Sequence, residues 1–286
     1  MAERLKLHIV KPGLFTTIQD AGRQGYMAQG IPMNGAMDKK AHQIANLLVD
    51  NPDTSPCLEI TLIGPEIEFE GQGQIAITGA DLSARINGQL VDLGTTLNIT
   101  EGDRLIFGKC KQGCRAYLAV RGNWDIPLWL GSASASPADL YAYTPQSLIK
   151  AGATINVDYE GFTQKKVVQE KKKAEAVRIM PGPEYQQFSE IQQQFLGQEA
   201  FKIGSDANRM GYRLTTDLPD FKPGQEVISS GIIPGTIQVA NSGQPIILMA
   251  DAQTSGGYPR LANVLTDDLN LLAQKKPGDV IHFEWV

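Results

Sequence analysis

Four stretches of this sequence carry more glycine and polar side chains than packing requires, and they are where chemistry could reside. The first runs from Gly13 to Tyr26 and on to Asp38. Within it Gln19, Asp20 and Arg23 offer an amide, a carboxylate and a guanidinium in close succession. Gly22, Gly25, Gly30 and Gly35 let the backbone turn and approach a ligand. The guanidinium could fork onto a carboxylate or phosphate; equally, Asp20 and Arg23 could simply brace a turn. Asp38 opens a helical pattern, either as its cap or beside an anion-favouring helix start. The second stretch, Gly204–Arg213, gathers Asp206, Arg209 and Arg213 around a glycine without hydrophobic periodicity. The third, Met249–Pro259, follows the apolar run that begins at Pro245. Gln253, Thr254 and Tyr258 are its reachable side chains, and its Gly256-Gly257 corner exposes backbone N–H groups. The fourth, Val120–Gly122 with Gly131-Ser132, reads as a structural arginine and its turn.

Several chemistries are excluded by what is missing. There is no phosphate loop, no G-x-G-x-x-G after a strand, no H-E-x-x-H and no G-x-S-x-G. The three histidines (His8, His42, His282) lie far apart, which argues against a Ser-His-Asp triad. Cys57, Cys110 and Cys114 make an odd count, so neither a disulfide framework nor a metal cluster is expected, and Cys110 and Cys114 read as reduced thiols. No Ala-Met-Lys-Met segment marks a biotin carrier. A catalytic role must therefore use Asp, Arg, Gln, Thr, Tyr and backbone amides. With 26 basic and 31 acidic residues the net charge is −5, so no general basic field exists for nucleic acid or an anionic membrane. No apolar run approaches the roughly 20 residues of a membrane span. Charges near the start occupy the place of a signal peptide's apolar core, so the expected location is cytoplasmic.

The positioning elements are mostly short strands. Glu66–Glu70, Gln74–Thr78, Leu82–Ile86, Arg104–Phe107 and Ala116–Val120 alternate or run apolar between turns, and Asn87-Gly88 suits a hairpin. Most of residues 55–160 should be sheet. Three helices are expected: Lys39–Val49 with Asp38 as cap, Glu184–Leu196 after Pro183, and Pro259–Gln274. Their apolar stripes read as core. The polar, lysine-rich stretch 164–175 is the candidate linker between an N-terminal β-rich half (1–163) and a C-terminal one (176–286). The halves share an echo: Glu101–Phe107 and Pro277–Phe283 each place a Gly-Asp turn before an alternating strand.

Three of the four stretches together resemble the biotin-dependent carboxyltransferase family. That family includes the C subunit of 5-oxoprolinase, the KipA proteins and the matching half of the carboxyltransferase domain of urea carboxylase. The likeness is carried by Thr16-Thr-Ile-Gln-Asp-Ala-Gly-Arg-Gln-Gly-Tyr26, Gly35-Ala-Met-Asp38, Ala45-Asn46-Leu-Leu-Val49, Ser205-Asp-Ala-Asn-Arg-Met-Gly-Tyr-Arg213 and Ala250-Asp-Ala-Gln-Thr-Ser-Gly-Gly-Tyr-Pro259. It extends from about Lys6 to Phe283. Ala207 departs from it as an added residue, which could shift Asp206 relative to Arg209.

The resemblance implies a mainly β fold with a few helices (α+β), in two β-barrel-like halves of cyclophilin-like type. It implies an ATP-dependent 5-oxoprolinase that opens 5-oxoproline to glutamate. Its partners would be a KipI-like protein, the B subunit of such an enzyme, and the larger A subunit, with ATP bound through a partner. One alternative is a biotin-dependent carboxyltransferase acting on urea or a similar amide, with biotin on a separate carrier. Another is a KipA-like regulator that captures a KipI-like kinase inhibitor without catalysis. Either enzymatic reading needs an amide gripped by directional hydrogen bonds while charge on its oxygen is stabilised. On that basis Arg23, Arg209 and the Gly256-Gly257 amides are candidate donors, and Gln19, Arg213, Gln253, Thr254 and Tyr258 candidate substrate contacts. Asp20 and Asp206 are candidate proton carriers. The expectation is that folding gathers these stretches around one pocket.

Overall fold

A computed structural model describes residues 3–159, 161–168, 176–222 and 227–286, and those residues are mainly β with three short α-helices. They fall into two compact units, Met1–Arg23 with Asn34–Lys171, and Gln24–Met33 with Lys172–Val286. Of the lysine-rich stretch, residues 169–175 lie outside the described residues. Its earlier part runs along the first unit, where Thr96 donates its N–H to Lys166 (3.1 Å) and Val168 to Gly94 (2.8 Å).

Alternation builds the first unit. In Glu3–Lys11, Leu5, Leu7 and Ile9 are buried, and Leu7 and Ile9 pair with Phe69 and Ile67 of Glu66–Glu70. Lys6 and His8 point the other way and meet Glu70 at 2.5 and 2.9 Å. One sheet runs in the order Asn123–Trp124, Thr154–Tyr159, Glu3–Lys11, Glu66–Glu70, Arg104–Ile106, Arg85–Ile86, Gln89–Leu90. The second runs Phe15–Gln19, Cys57–Thr61, Gln112–Val120, Gly73–Asp81, Thr96–Ile99. Ile75, Ile77, Leu118 and Val120 of the second share one apolar core with Leu5, Leu7 and Ile9 of the first. On its other face Ala76, Tyr117 and Ala119 receive helix α1 (Lys39–Leu48) through Ala41, Ala45 and Leu48. The small alanines let the helix sit close, and Asp38 caps it by accepting from Ala41 N at 2.9 Å.

The second unit holds a sheet ordered Ala200–Lys202, Val280–Trp285, Val177–Pro181, Arg260–Val264, Thr236–Val239, Pro245–Leu248, Gly211–Arg213. A separate two-stranded piece pairs Ser230–Gly231 with Ser255–Gly256. Both Gly-Asp turns of the sequence echo are present: Gly102 (φ 83°) and Gly278 (φ 89°) adopt the left-handed conformation before strands Arg104–Ile106 and Val280–Trp285.

Three sequence expectations need correction. Pro259–Gln274 is not a helix but strand Arg260–Val264, then a 3-10 turn (Thr266–Asp268) and helix α3 (Leu269–Ala273). Its leucines satisfy helical spacing, but Arg260–Val264 pairs with a strand along each edge, and the successive residues Leu261 and Ala262 are both buried. The expected helix at Glu184 begins later. A 3-10 turn occupies Tyr185–Gln187, and α2 (Glu190–Gln198) starts at a capping box formed by Ser189 and Gln192, leaving Ile191 exposed. Between Asp125 and Ala153 the chain runs mainly in loops rather than sheet, with a 3-10 turn at Ala138–Tyr143. Pro127, Pro137 and Pro145 cannot donate to a ladder there. Among the described residues no helix is long and apolar enough to cross a membrane.

Candidate functional site

In the first unit the Gln19–Arg23 turn is fastened from several directions. Gln19 ends strand Phe15–Gln19 fully buried, with its amide N–H donating to Thr17 Oγ1 at 3.0 Å. The Asp20 carboxylate accepts from Ser132 Oγ (2.7 Å), Ser134 Oγ (2.6 Å), Ala133 N (2.6 Å) and Gly22 N (2.8 Å). Four donors on two oxygens make Asp20 the knot that ties residues 132–134 to the turn. Arg23 is buried, donates to Asn34 Oδ1 (2.7 Å) and to the Ser134 carbonyl, and lies 4.7 Å from the Trp129 ring centroid. Gly35 (φ 84°) permits the closing contact, since a Cβ there would stand 3.0 Å from Gly22 N. Behind this turn Glu59 accepts from Tyr117 Oη (2.7 Å) and Met37 N (2.9 Å), and Tyr117 Oη accepts from Asp38 N (2.7 Å). Burial, reinforced by Glu59 and Asp38, pushes the Tyr117 phenol well above its usual range, so it stays a neutral donor.

In the second unit the two glycine corners meet. Arg209 forks onto Asp251 through Nε (2.8 Å) and a terminal nitrogen (2.9 Å), with only 6% and 8% of these residues exposed. Backbone bonds reinforce the junction: Asp251 N donates to Arg209 O at 2.9 Å and Met249 N to Met210 O at 3.0 Å. Asp206 and Arg213 form an exposed pair at 3.2 Å. Gln253 and Tyr258 are exposed and Thr254 half-buried, with Thr254 O accepting from Ile232 N at 3.0 Å. Gly256 lies in the two-stranded piece and Gly257 beside Val227, where a Cβ would stand 3.1 Å from the Val227 carbonyl. Just beyond, Arg260 forks onto Glu184 (2.6 and 2.5 Å) and reaches Gly231 O at 3.1 Å. That hydrogen bonding holds the Glu184 carboxyl below the usual carboxylate range.

The candidate residues thus divide between the units. Gln19, Asp20 and Arg23 gather with Asn34 and Ser132–Ser134 in the first; Asp206, Arg209, Arg213 and Gln253–Tyr258 gather in the second. Sequence reasoning missed Asn34, Trp129, Ser134, Asp251, Glu184 and Arg260. Two signals were available: Ser132, Ser134 and Ser136 alternate with alanine, and Asn34 precedes a glycine, as suits its positive φ of 55°.

The family described as "Carboxyltransferase domain, subdomain A and B" matches residues 29–285. The chain belongs to this family. It is 39% identical over 279 residues to the C subunit of 5-oxoprolinase from Escherichia coli, covering 97% of this chain and 90% of that protein. Among solved structures, TTHA0988 superposes with a TM-score of 0.88 at 30% identity, covering 99% of this chain and 56% of that one. Kluyveromyces lactis urea carboxylase superposes with a TM-score of 0.86 at 26% identity, covering 97% of this chain and 27% of that one. The carboxyltransferase family's members therefore include chains of this length and much longer ones in which the same fold is one part.

Proposed function

We propose that this chain is the C subunit of an ATP-dependent 5-oxoprolinase, which opens the lactam of 5-oxoproline with water to give glutamate. The observation that carries the reading is the match to the C subunit of the Escherichia coli 5-oxoprolinase, which runs nearly end to end in both proteins. The braced glycine corners of the second unit support it. A fork of Arg209 on Asp251 keeps Gln253 to Tyr258 in a fixed corner, as recognition of a small planar amide requires. The partners under this reading are the KipI-like B subunit and the larger A subunit. The chain carries no phosphate-loop motif, so ATP is assigned to a partner and turnover to the complex.

A second reading, carboxyl transfer to urea or a similar amide from biotin on a separate carrier, is favoured by the likeness to urea carboxylase. Copurifying the chain with both partners and assaying 5-oxoproline separates the two. ATP-dependent glutamate release that avidin does not inhibit supports the oxoprolinase. Turnover that requires a biotinylated partner and bicarbonate replaces it with the second reading. If neither occurs and the chain instead pairs tightly with a kinase inhibitor, the KipA-like regulator stands.

A further inference from the structure

Only two asparagines in the sequence are followed by glycine, Asn34 and Asn87. That dipeptide is reactive. The glycine's backbone nitrogen can attack Cγ of the asparagine, because no Cβ on the glycine stands in the way. The new C–N bond closes a five-membered succinimide. The side-chain nitrogen leaves as ammonia, taking the proton that the backbone nitrogen gives up. Water then opens the ring to aspartate or isoaspartate.

The two sites share a backbone and differ in their surroundings. Both asparagines adopt the left-handed conformation, at φ 55° and 51°, and their glycines follow at φ 84° and 82°. Asn34 is 1% exposed, its Oδ1 accepts from Arg23 at 2.7 Å, and a Cβ on Gly35 would stand 3.0 Å from Gly22 N. Burial and crowding oppose ring closure there. Asn87 is exposed at the tip of the hairpin of Arg85–Ile86 and Gln89–Leu90, and a Cβ on Gly88 would meet nothing within 4 Å. What restrains Asn87 is the Gly-Asp turn beside it. Its Nδ2 donates to Asp103 Oδ1 at 2.7 Å, and Arg104 N donates to its Oδ1 at 2.9 Å. Asp103 is itself held through its other oxygen, which accepts from Thr100 N (2.8 Å) and Thr100 Oγ1 (3.1 Å).

We infer that Asn87 is a site of spontaneous deamidation, and that its hydrogen bond to Asp103 sets the rate. The nitrogen that must depart is the one bonded to the Asp103 carboxylate, so this charge-assisted bond breaks before ammonia leaves. The product cannot remake it. A carboxylate at position 87 has no proton to donate and repels Asp103, so the hairpin loses its tie to the turn.

The test is to age the purified chain in mildly alkaline buffer and follow the mass gain of deamidation peptide by peptide. In the folded chain the gain should appear at Asn87 well before Asn34, whereas in urea the two should react alike. Asp103→Ala, checked as folded by its thermal midpoint, should speed the reaction at Asn87 about tenfold, the effect of losing one charge-assisted hydrogen bond. Asn34 keeping pace with Asn87 in the folded chain overturns the inference, and so does a folded Asp103→Ala that reacts no faster than wild type. A second pair of variants tests the bond without relying on that one. Asn87→Asp should lower the thermal midpoint, and combining it with Asp103→Asn should restore it, because donor and acceptor are then exchanged while Thr100 keeps its acceptor. A midpoint that Asn87→Asp leaves unchanged, or that the combination does not restore, overturns the role given to Asp103.

Discussion

Arg209 and Asp251 are two charges withdrawn from water together and joined by a two-point fork. Removing one takes that charge-assisted fork from a buried partner, a change that costs about 3–5 kcal/mol. Asp251→Ala should therefore lower the urea midpoint of unfolding markedly, whereas Asp206→Ala, which breaks an exposed pair, should shift it by about 1 kcal/mol or less. Arg209→Ala in the assembled complex adds a functional reading. Unchanged turnover and KM would remove Arg209 from the site. The thiols separate by the same criterion of burial. Cys57 is fully buried and burial pushes its thiol far up, Cys114 is buried, and Cys110 is half-buried. A disulfide reagent should label Cys110 first and Cys57 only on unfolding, which rate-resolved mass spectrometry would show.

Helix α2 shows how local signals and packing compete within one element. Its start is local: Ser189 and Gln192 satisfy each other's backbone donors, and Ser189→Ala should cost about 1 kcal/mol. Its glycine is not local. Gly197 suggests a C-cap in the sequence, yet the helix continues to Gln198, and a Cβ at 197 would stand 2.6 Å from Trp285 Cδ1. Alanine there would gain about 1 kcal/mol in helix propensity. It would lose about 1–3 kcal/mol by forcing Trp285 away, along with that indole's 3.1 Å bond to Gln193 O. Gly197→Ala should thus lower the thermal midpoint, and a rise would show that Trp285 repacks freely.

For the molecule as a whole, the two units should respond differently to acid. In the first, burial lowers the His42 pKa below its ordinary 6.5, and its ring nitrogen donates to Ser55 O at 2.9 Å. Its unfolded form takes up a proton before the folded form does. The stability that His42 contributes is complete above pH 6.5 and declines as pH falls through the folded value. In the second unit Glu184, lowered by its fork with Arg260, contributes stability that is complete above 4.5 and lost only at lower pH. Thermal midpoints measured from pH 8 to pH 3 should fall first by a step that His42→Asn flattens, then by one that Glu184→Gln flattens. A pH response unaltered by His42→Asn would show that another group carries the first step.

Strands such as Glu66–Glu70 and Ala116–Val120, the Asn87-Gly88 hairpin, helix α1 with its Asp38 cap and both Gly-Asp turns were legible because period-two alternation, capping and positive-φ glycines are properties of adjacent residues. So were the glycine-rich stretches that hold Asp20, Arg23, Arg209 and Gln253, since residue types at short spacing betray a turn with polar content. What those residues bond to was decided by tertiary structure. Ser134 lies more than a hundred positions from Asp20 and Asp251 some forty from Arg209. The fate of Pro259–Gln274 followed the same logic. Its leucines fit a helix or a doubly buried strand equally well, and the neighbours on either side, not its own pattern, chose the strand.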